Sequence, residues 1–529
     1  MNGREAIRLA DEELLAKLGY RQEFKRAFTP LEVFGIAFSI IGLLPSIASV
    51  LFYAIPNGGG PGMVWGWAVA SIFILFVGMS MAELASAAPT SGGLYFWTYS
   101  LSSPRWRTFS VGLLAVNANT IGSITAVASI DWAAAIQVMA AVNIGSDGDF
   151  SATSGQTFGV YAAILFTHTL ICCLGTAVLA RLQTVYVILN VVLCLVVIIA
   201  LPAATPAAFK NSASFALGDF TNLNGWPDGY AFILSFLAPL WTICSFDSSV
   251  HISEEASNAA TAVPWAIVCA IGIAGILGFA INVSLAFCMG ADLDSLYSSA
   301  QPMAAIFLNS FGKRPTLALW AIVVIVQYVF SSFTPYSGSS MLLAASRQSY
   351  AFSRDGALPF SRWLYRMNSF TRTPVNTVVF DAFFSLILGL LVFAGPQAIN
   401  AVFAISVTAL YIAYAIPIVA RFAGNNDFKP GPFNLGVFSL PVAVVSVLFM
   451  LFLGIAFLFP TSPQTDVADM NYTIVVLGGV LFLSVVWYYL PVVGGVHWFK
   501  GPVATVVLPN EAESEREPEL EKGRKAEDY

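Results

Sequence analysis

The stretch FGIAFSIIGLLPSIASVLFYAI, residues 34–55, is apolar throughout, yet Gly42 and Pro45 stand three residues apart near its middle, among Ser39, Ser46 and Ser49. About twenty such residues cross a bilayer as a helix. Proline withdraws one amide donor and displaces the carbonyl a turn earlier, while glycine lowers the cost of leaving the helix. In lipid those freed backbone groups need partners, so a true break survives only inside protein or beside a cavity. Alone, the pattern reads more readily as a simple proline kink, which is common in membrane helices. A second stretch, YAFILSFLAPLWTICSFDSSVHISEEASNA at 230–259, favours the break. It carries Pro239 and then a polar cluster at Ser245, Asp247, Ser248, Ser249 and His251. An acid near the middle of a span costs roughly 3 kcal/mol or more unless paired or wet, which makes it a functional candidate.

Around these two stretches the whole chain is built the same way. Its 529 residues are 57% hydrophobic and 10% charged, with a mean hydropathy of +0.76. A soluble domain carries roughly 25% charged residues, so a water-facing surface is missing. Soluble enzymes, nucleic-acid binders and secreted disulfide scaffolds are excluded on that ground. Apolar runs fall at about 34–55, 63–87, 109–141, 158–180, 183–202, 230–252, 264–289, 316–346, 376–394, 398–420, 438–460 and 472–492. The expected fold is an all-α polytopic membrane protein of about twelve spans. The six cysteines all lie in apolar segments, and the three histidines are too scattered for a metal cluster. No cofactor, metal or nucleic acid is expected as a ligand.

With both termini inside, the short inner loops hold Arg105, Arg107, Arg181, Arg347, Arg354, Arg362, Arg366, Arg372, Arg421 and Lys429, against Lys210, Lys313 and Arg314 outside. This bias places both termini in the cytosol. The expected organisation is a cytosolic tail at 1–33, spans 1–5 at 34–202, spans 6–10 at 203–420, spans 11–12 at 421–492 and an acidic cytosolic tail at 493–529. The Asn471-Tyr472-Thr473 sequence is a glycosylation acceptor by pattern, but it sits at the membrane edge.

The two interrupted segments stand five spans apart and run in opposite directions, as an inverted repeat requires. Such a pair is the best sequence pointer to a transporter's substrate site. The restarting half-helices, around Leu43 to Ser46 and Ser248 to Val250, offer unpaired amides and a positive dipole end to an anion. The carbonyls around Ser39 to Ile41 and at Cys244 suit an ammonium or a coupling cation, and Asp247 strengthens that side. The pattern fits a small zwitterion or a cation.

Four stretches carry a resemblance to a known family: FSIIGLLPSIAS at 38–49, MAELASAAPTSGGLYFW at 81–97, FDSSVHISEEASNAATAVPWAI at 246–267 and SRQSYAFSRDGALPFS at 346–361. The chain resembles the fungal amino acid/choline permeases of the amino acid–polyamine–organocation superfamily, nearest to those for 4-aminobutyrate (GABA). The resemblance implies a leucine-transporter-type fold, with spans 1–5 and 6–10 as inverted repeats, and proton-coupled uptake by alternating access. It maps substrate contacts onto Ser39, Ile41, Gly42 and Leu43 in span 1 and Ser245, Phe246 and Asp247 in span 6. Some proton-coupled relatives carry a span-5 lysine in place of a sodium ion. Here span 5 has none, and Asn190 is its only strongly polar mid-span group.

The remaining polar residues have two readings each. Glu83 is either a relay or gate residue, or a carboxylate tying span 2 to a neighbour's backbone. Glu254 and Glu255 either pair with an inner-loop arginine or form a solvated helix end. His251, one turn past Asp247, is a proton carrier or merely hydrogen-bonded. His168, Asp131 and Asp381 lack polar company in sequence. Tyr336, in the polar run SSFTPYSGSS of span 8, is a candidate gate or substrate contact, as are Phe246 and Tyr411. The sequence therefore leads to a proton-driven importer of small amino acids or amines in a lipid bilayer, at the plasma membrane rather than the vacuole, with GABA as lead substrate. A choline or other organic-cation permease is the alternative within the family, and a non-transporting nutrient sensor the alternative of another class.

Overall fold

The computed structural model describes residues 3–22, 26, 28–109, 116–174, 180–332, 341–368, 371, 373–463, 470–491, 494–497, 499 and 501–503. Among these, ten helices are long and apolar enough to cross a membrane: Pro30–Ala54, Gly59–Ala87, Val116–Gly145, Ser154–Cys173, Val187–Ala204, Ala259–Cys288, Val375–Ala394, Pro396–Ala423, Gly436–Ala456 and Tyr472–Tyr489. The other two expected spans, 6 and 8, are described in shorter pieces. Span 6 is split into Asp228–Ser235, Leu237–Thr242, Ser248–His251 and Ser253–Glu255. Span 8 is described as Lys313–Ser332 and Met341–Arg354, on either side of residues outside the description. The chain is an all-helical polytopic membrane protein.

Two packing groups organise the helices. Span 2 runs along span 7, and span 7 also covers the first half of span 1. Small residues permit the close approach: a Cβ on Gly278 would overlap the Trp67 ring, and one on Gly78 would meet Ile271. The Trp67 indole N–H then donates to the Gly275 carbonyl at 3.1 Å. Without a hydrophobic drive between helices in lipid, this contact area and these hydrogen bonds hold the seam. In the second group, span 3 packs against spans 4, 8, 9 and 10.

The first thirty residues are more than the tail expected from their mixed charge. Gly3–Lys17 is a helix, and the segment after it returns to the span 6–7 junction. The Asp11 carboxylate accepts the Asn258 amide at 2.8 Å and the Ala259 amide at 3.3 Å, closing the start of span 7. Arg26 pairs with Asp11 at 3.5 Å and donates to the Ala256 carbonyl at 2.6 Å. Phe28 forms a parallel bridge with Ala256, and Gln22 donates to the Glu254 carbonyl at 2.7 Å. Sequence periodicity misses this arm because its partners lie some 230 residues away. At the other end, the Asn471 amide is taken up by the Phe457 and Phe459 carbonyls.

Candidate substrate site

Span 1 stops at Ile41 and restarts at Leu43, with Gly42 between them at φ 50, ψ 50. That left-handed geometry is open to glycine and costs other residues about 1 kcal/mol or more. Pro45 has no amide to offer the Ile41 carbonyl four residues earlier, and the Ser46 hydroxyl satisfies that carbonyl at 2.8 Å. Gln137 of span 3 donates to the Pro45 carbonyl and to the Ser49 hydroxyl, each at 3.0 Å. The freed backbone groups thus find partners inside protein, as the hydrocarbon environment demands. The segment is a break, not a kink.

Span 6 lacks glycine, so its polarity alone pointed to unwinding. Ser245 takes the left-handed position, at φ 58. The helix ends at Thr242 and resumes at Ser248. A non-glycine residue held there stores strain of about 1 kcal/mol or more, which is characteristic of functional sites.

Between the two breaks lies a small space of about 10 Å³, room for about one water, lined by Ile40, Ser46, Ala126, Ile130, Trp241, Thr242, Cys244, Ser245 and Met341. Every one of these residues is buried. Among the described residues the wall is apolar with a few hydroxyls and carries no ionised side chain. Thr242 Oγ1 has no hydrogen-bond partner among the described residues, whereas the Trp241 indole is fixed by the Ser129 hydroxyl at 3.0 Å. Ser39, Ile41, Gly42 and Leu43 are buried at the span 1 break, and Ser245 lines this space.

Asp247 does not line this space. Its carboxylate accepts the Tyr414 hydroxyl at 2.6 Å and lies 3.6 Å from His251 Nε2. His251 Nδ1 donates to the Ser91 carbonyl at 2.9 Å. The donor at Nδ1 leaves Nε2 as the nitrogen facing Asp247. The Ser91 amide in turn donates to Glu254 Oε1 at 2.9 Å. Phe246 is buried against Tyr414, with ring centroids 5.3 Å apart, and Tyr414 neighbours Tyr411 at 6.2 Å. The structure therefore gathers Asp247, His251 and Glu254 around the loop at Ser91. Tyr414 and Ser91, which complete the group, carry no sequence signal of their own.

Other candidates lie elsewhere. Glu83 forms a short pair with Arg421 at 2.6 Å and accepts the Leu435 amide at 2.8 Å and the Ser439 hydroxyl at 2.6 Å. This is the geometry of the tie between span 2 and its neighbours, a helix and the loop after it. Asn190 is buried, with the Cys194 thiol 3.7 Å away, and does not line the cavity. Tyr336 lies outside the described residues, as do the side chains of Ser331, Ser332 and Thr334. Asp131 proves to have company: His168 of span 4 stands 3.0 Å away, both fully buried. Asp381 accepts the Ser349 hydroxyl at 3.0 Å.

Contacts flank the span 6 break on both sides. On one side Glu255 pairs with Arg347 of span 8 at 3.2 Å. On the other, Trp241 packs on Phe403 at 5.1 Å, and the Tyr53 hydroxyl donates to the Asn400 carbonyl at 2.8 Å. Next to Tyr53 a second space, of about 40 Å³, is bordered by Asn57, Gln397, Phe457 and Thr461.

Two interrupted helices facing a small space in an all-helical membrane protein are the arrangement of a carrier of small molecules. The chain belongs to the amino acid permease family, whose sequence profile matches residues 28–481. It is 39% identical over 504 residues to an uncharacterized amino-acid permease of Schizosaccharomyces pombe, covering 95% of this chain and 90% of that one. It is also 39% identical over 487 residues to the GABA-specific permease of Saccharomyces cerevisiae, covering 90% and 84% of the two chains. The amino-acid permease BAT1 of Arabidopsis thaliana is 32% identical over 506 residues, covering 93% and 96%.

Proposed function

We propose that this permease imports small amino acids with protons, GABA being the lead substrate, by alternating access across the plasma membrane with both termini cytosolic. The observation that carries the reading is the pair of breaks facing a small space, whose wall has no ionised side chain among the described residues. A net-neutral zwitterion fits such a wall, because each of its charges meets a helix end and neither needs a buried counter-ion. The carboxylate is assigned to the amides freed where span 1 restarts at Leu43. The amine is assigned to carbonyls ending the first half of span 6 and to the Thr242 hydroxyl. Resemblance to a permease named GABA-specific supports the substrate class.

Proton coupling is assigned to the Asp247–His251 pair. A proton gained there bridges Asp247 Oδ2 and His251 Nε2, and Tyr414 holds the other carboxylate oxygen. Because His251 is tied to Ser91 and Ser91 to Glu254, protonation biases how the second half of span 6 seats on the loop after span 2. Spans 1–5 and 6–10 act as inverted repeats in this scheme. Radiolabelled GABA uptake in cells lacking their own permeases tests it, at acidic and neutral external pH and with competing choline. Uptake that rises in acid, collapses with a protonophore and resists choline is expected. Choline uptake without GABA uptake replaces the substrate assignment, and movement of neither compound favours a sensor.

A further inference from the structure

A cleft of about 750 Å³ opens between the loop after span 8 and the end of span 12, on the face that carries the basic loops. Its wall includes Arg354, Phe360, Arg362, Trp363, Tyr365 and Trp487. We propose that this cleft holds the headgroup of an anionic phospholipid of the cytosolic leaflet, a reading that rests on the cytosolic placement of both termini.

The charge balance of the loop supports an anion. Residues 355–374 hold Arg362, Arg366 and Arg372 against a single acid, Asp355. That acid is already engaged: Arg354 lies 3.8 Å from it and the Val503 amide donates to it at 3.2 Å. Arg354 itself stacks on the Tyr20 ring at 4.6 Å. Arg362 is exposed in the cleft, and its planar fork matches two oxygens of a phosphodiester.

The rim then separates a lipid from a soluble phosphate. Phe360 is 78% exposed and Trp363 45% exposed, large apolar surfaces beside the cationic group. Phe360 is also held at φ 60, a left-handed conformation that a side chain rarely adopts. Aromatic residues placed this way belong at the headgroup level of a bilayer, with acyl chains against the rings. A free phosphate uses the arginine and leaves the rings in water; a phospholipid satisfies both. Basic pockets at the cytosolic ends of membrane helices recognise lipid headgroups in this manner.

The test uses full-length protein in nanodiscs of phosphatidylcholine doped with phosphatidylserine, extracted and read by native mass spectrometry. Wild-type protein should retain phosphatidylserine over phosphatidylcholine, and Arg362→Gln should lower that preference about fivefold, the effect of one arginine near a charged membrane surface. Arg105→Gln, an inner-loop arginine beside Trp106 but outside the cleft, should leave it unchanged. Should Arg362→Gln not accumulate, Arg362→Lys is expected to show a smaller drop, since it keeps the charge and loses the fork. Equal retention of both lipids by the wild type overturns the proposal, as does an unchanged preference in the Arg362 variants. Displacement of the bound lipid by soluble glycerophosphoserine at matching concentration also overturns it, by making the cleft a soluble-anion site. GABA uptake by the same preparations separates this result from the transport reading, because lipid retention does not depend on which substrate is carried.

Discussion

Thr242 and Asp247 stand five residues apart in span 6 and do different work: one faces the cavity with an unused hydroxyl, the other turns its carboxylate to Tyr414 and His251. Thr242→Val removes the hydroxyl while keeping the shape, and breaks no hydrogen bond of the described protein. Stability should therefore hold, while KM for substrate rises about tenfold, the worth of one hydrogen bond. A thermal shift without a KM change would assign the hydroxyl to the fold instead. Asp247→Asn should abolish proton-driven uptake while surface expression persists, and unchanged uptake removes Asp247 from the mechanism. Glu83→Gln should act in the opposite way. It leaves Arg421 without its buried counter-charge, a loss of roughly 3 kcal/mol or more, so folded yield should drop while KM in the surviving protein stays put. Asp355 adds a pH dependence. Burial, opposed by Arg354, lifts its carboxyl from 3.8 to about 6. Between those values the folded chain holds a proton that the unfolded chain has released, so stability falls as pH rises through the window and is flat above it. The melting temperature of Asp355→Asn, relative to wild type, should thus climb from pH 4 to pH 6 and then level off. A difference that is constant across pH refutes the assignment.

At the scale of elements, the membrane spans were legible because lipid imposes a simple code of length and apolarity. The runs at 376–394 and 472–492 correspond to helices Val375–Ala394 and Tyr472–Tyr489. The span 1 break was legible because Gly42 and Pro45 are chemically explicit. The span 6 break was half-legible: polarity marked the place, but nothing in the composition says that a serine takes the left-handed turn. Ala126, Ile130 and Trp241 of the cavity wall were not legible, since an apolar residue facing a cavity and one facing a neighbour read alike. The docking of Gly3–Lys17 was hidden for another reason, its partners being distant in sequence. Two glycines test the element-level account. Gly42→Ala puts a Cβ in a left-handed turn at a cost of about 1 kcal/mol, and Gly278→Ala drives one into Trp67 at a cost of about 1–3 kcal/mol. Melting in detergent should place Gly278→Ala below Gly42→Ala, whereas uptake should suffer at least as much in Gly42→Ala, which disturbs the cavity.

For the whole molecule, the contacts flanking the span 6 break are the central fact, and the two are built differently. One is a wedge of aromatic rings, the other a charged pair backed by the amino-terminal arm. That second arrangement has a history in time. Arg26 is made early, and its acceptor at Ala256 follows 230 residues later. At a synthesis rate of about 5–20 residues per second the interval is roughly 10–50 s. Throughout it the arm has no seat, and the first half of the protein waits in the bilayer unlatched. The earliest segment off the ribosome thus finds its seat only when the junction before the seventh span is made, and the Glu255–Arg347 pair beside it waits for the eighth.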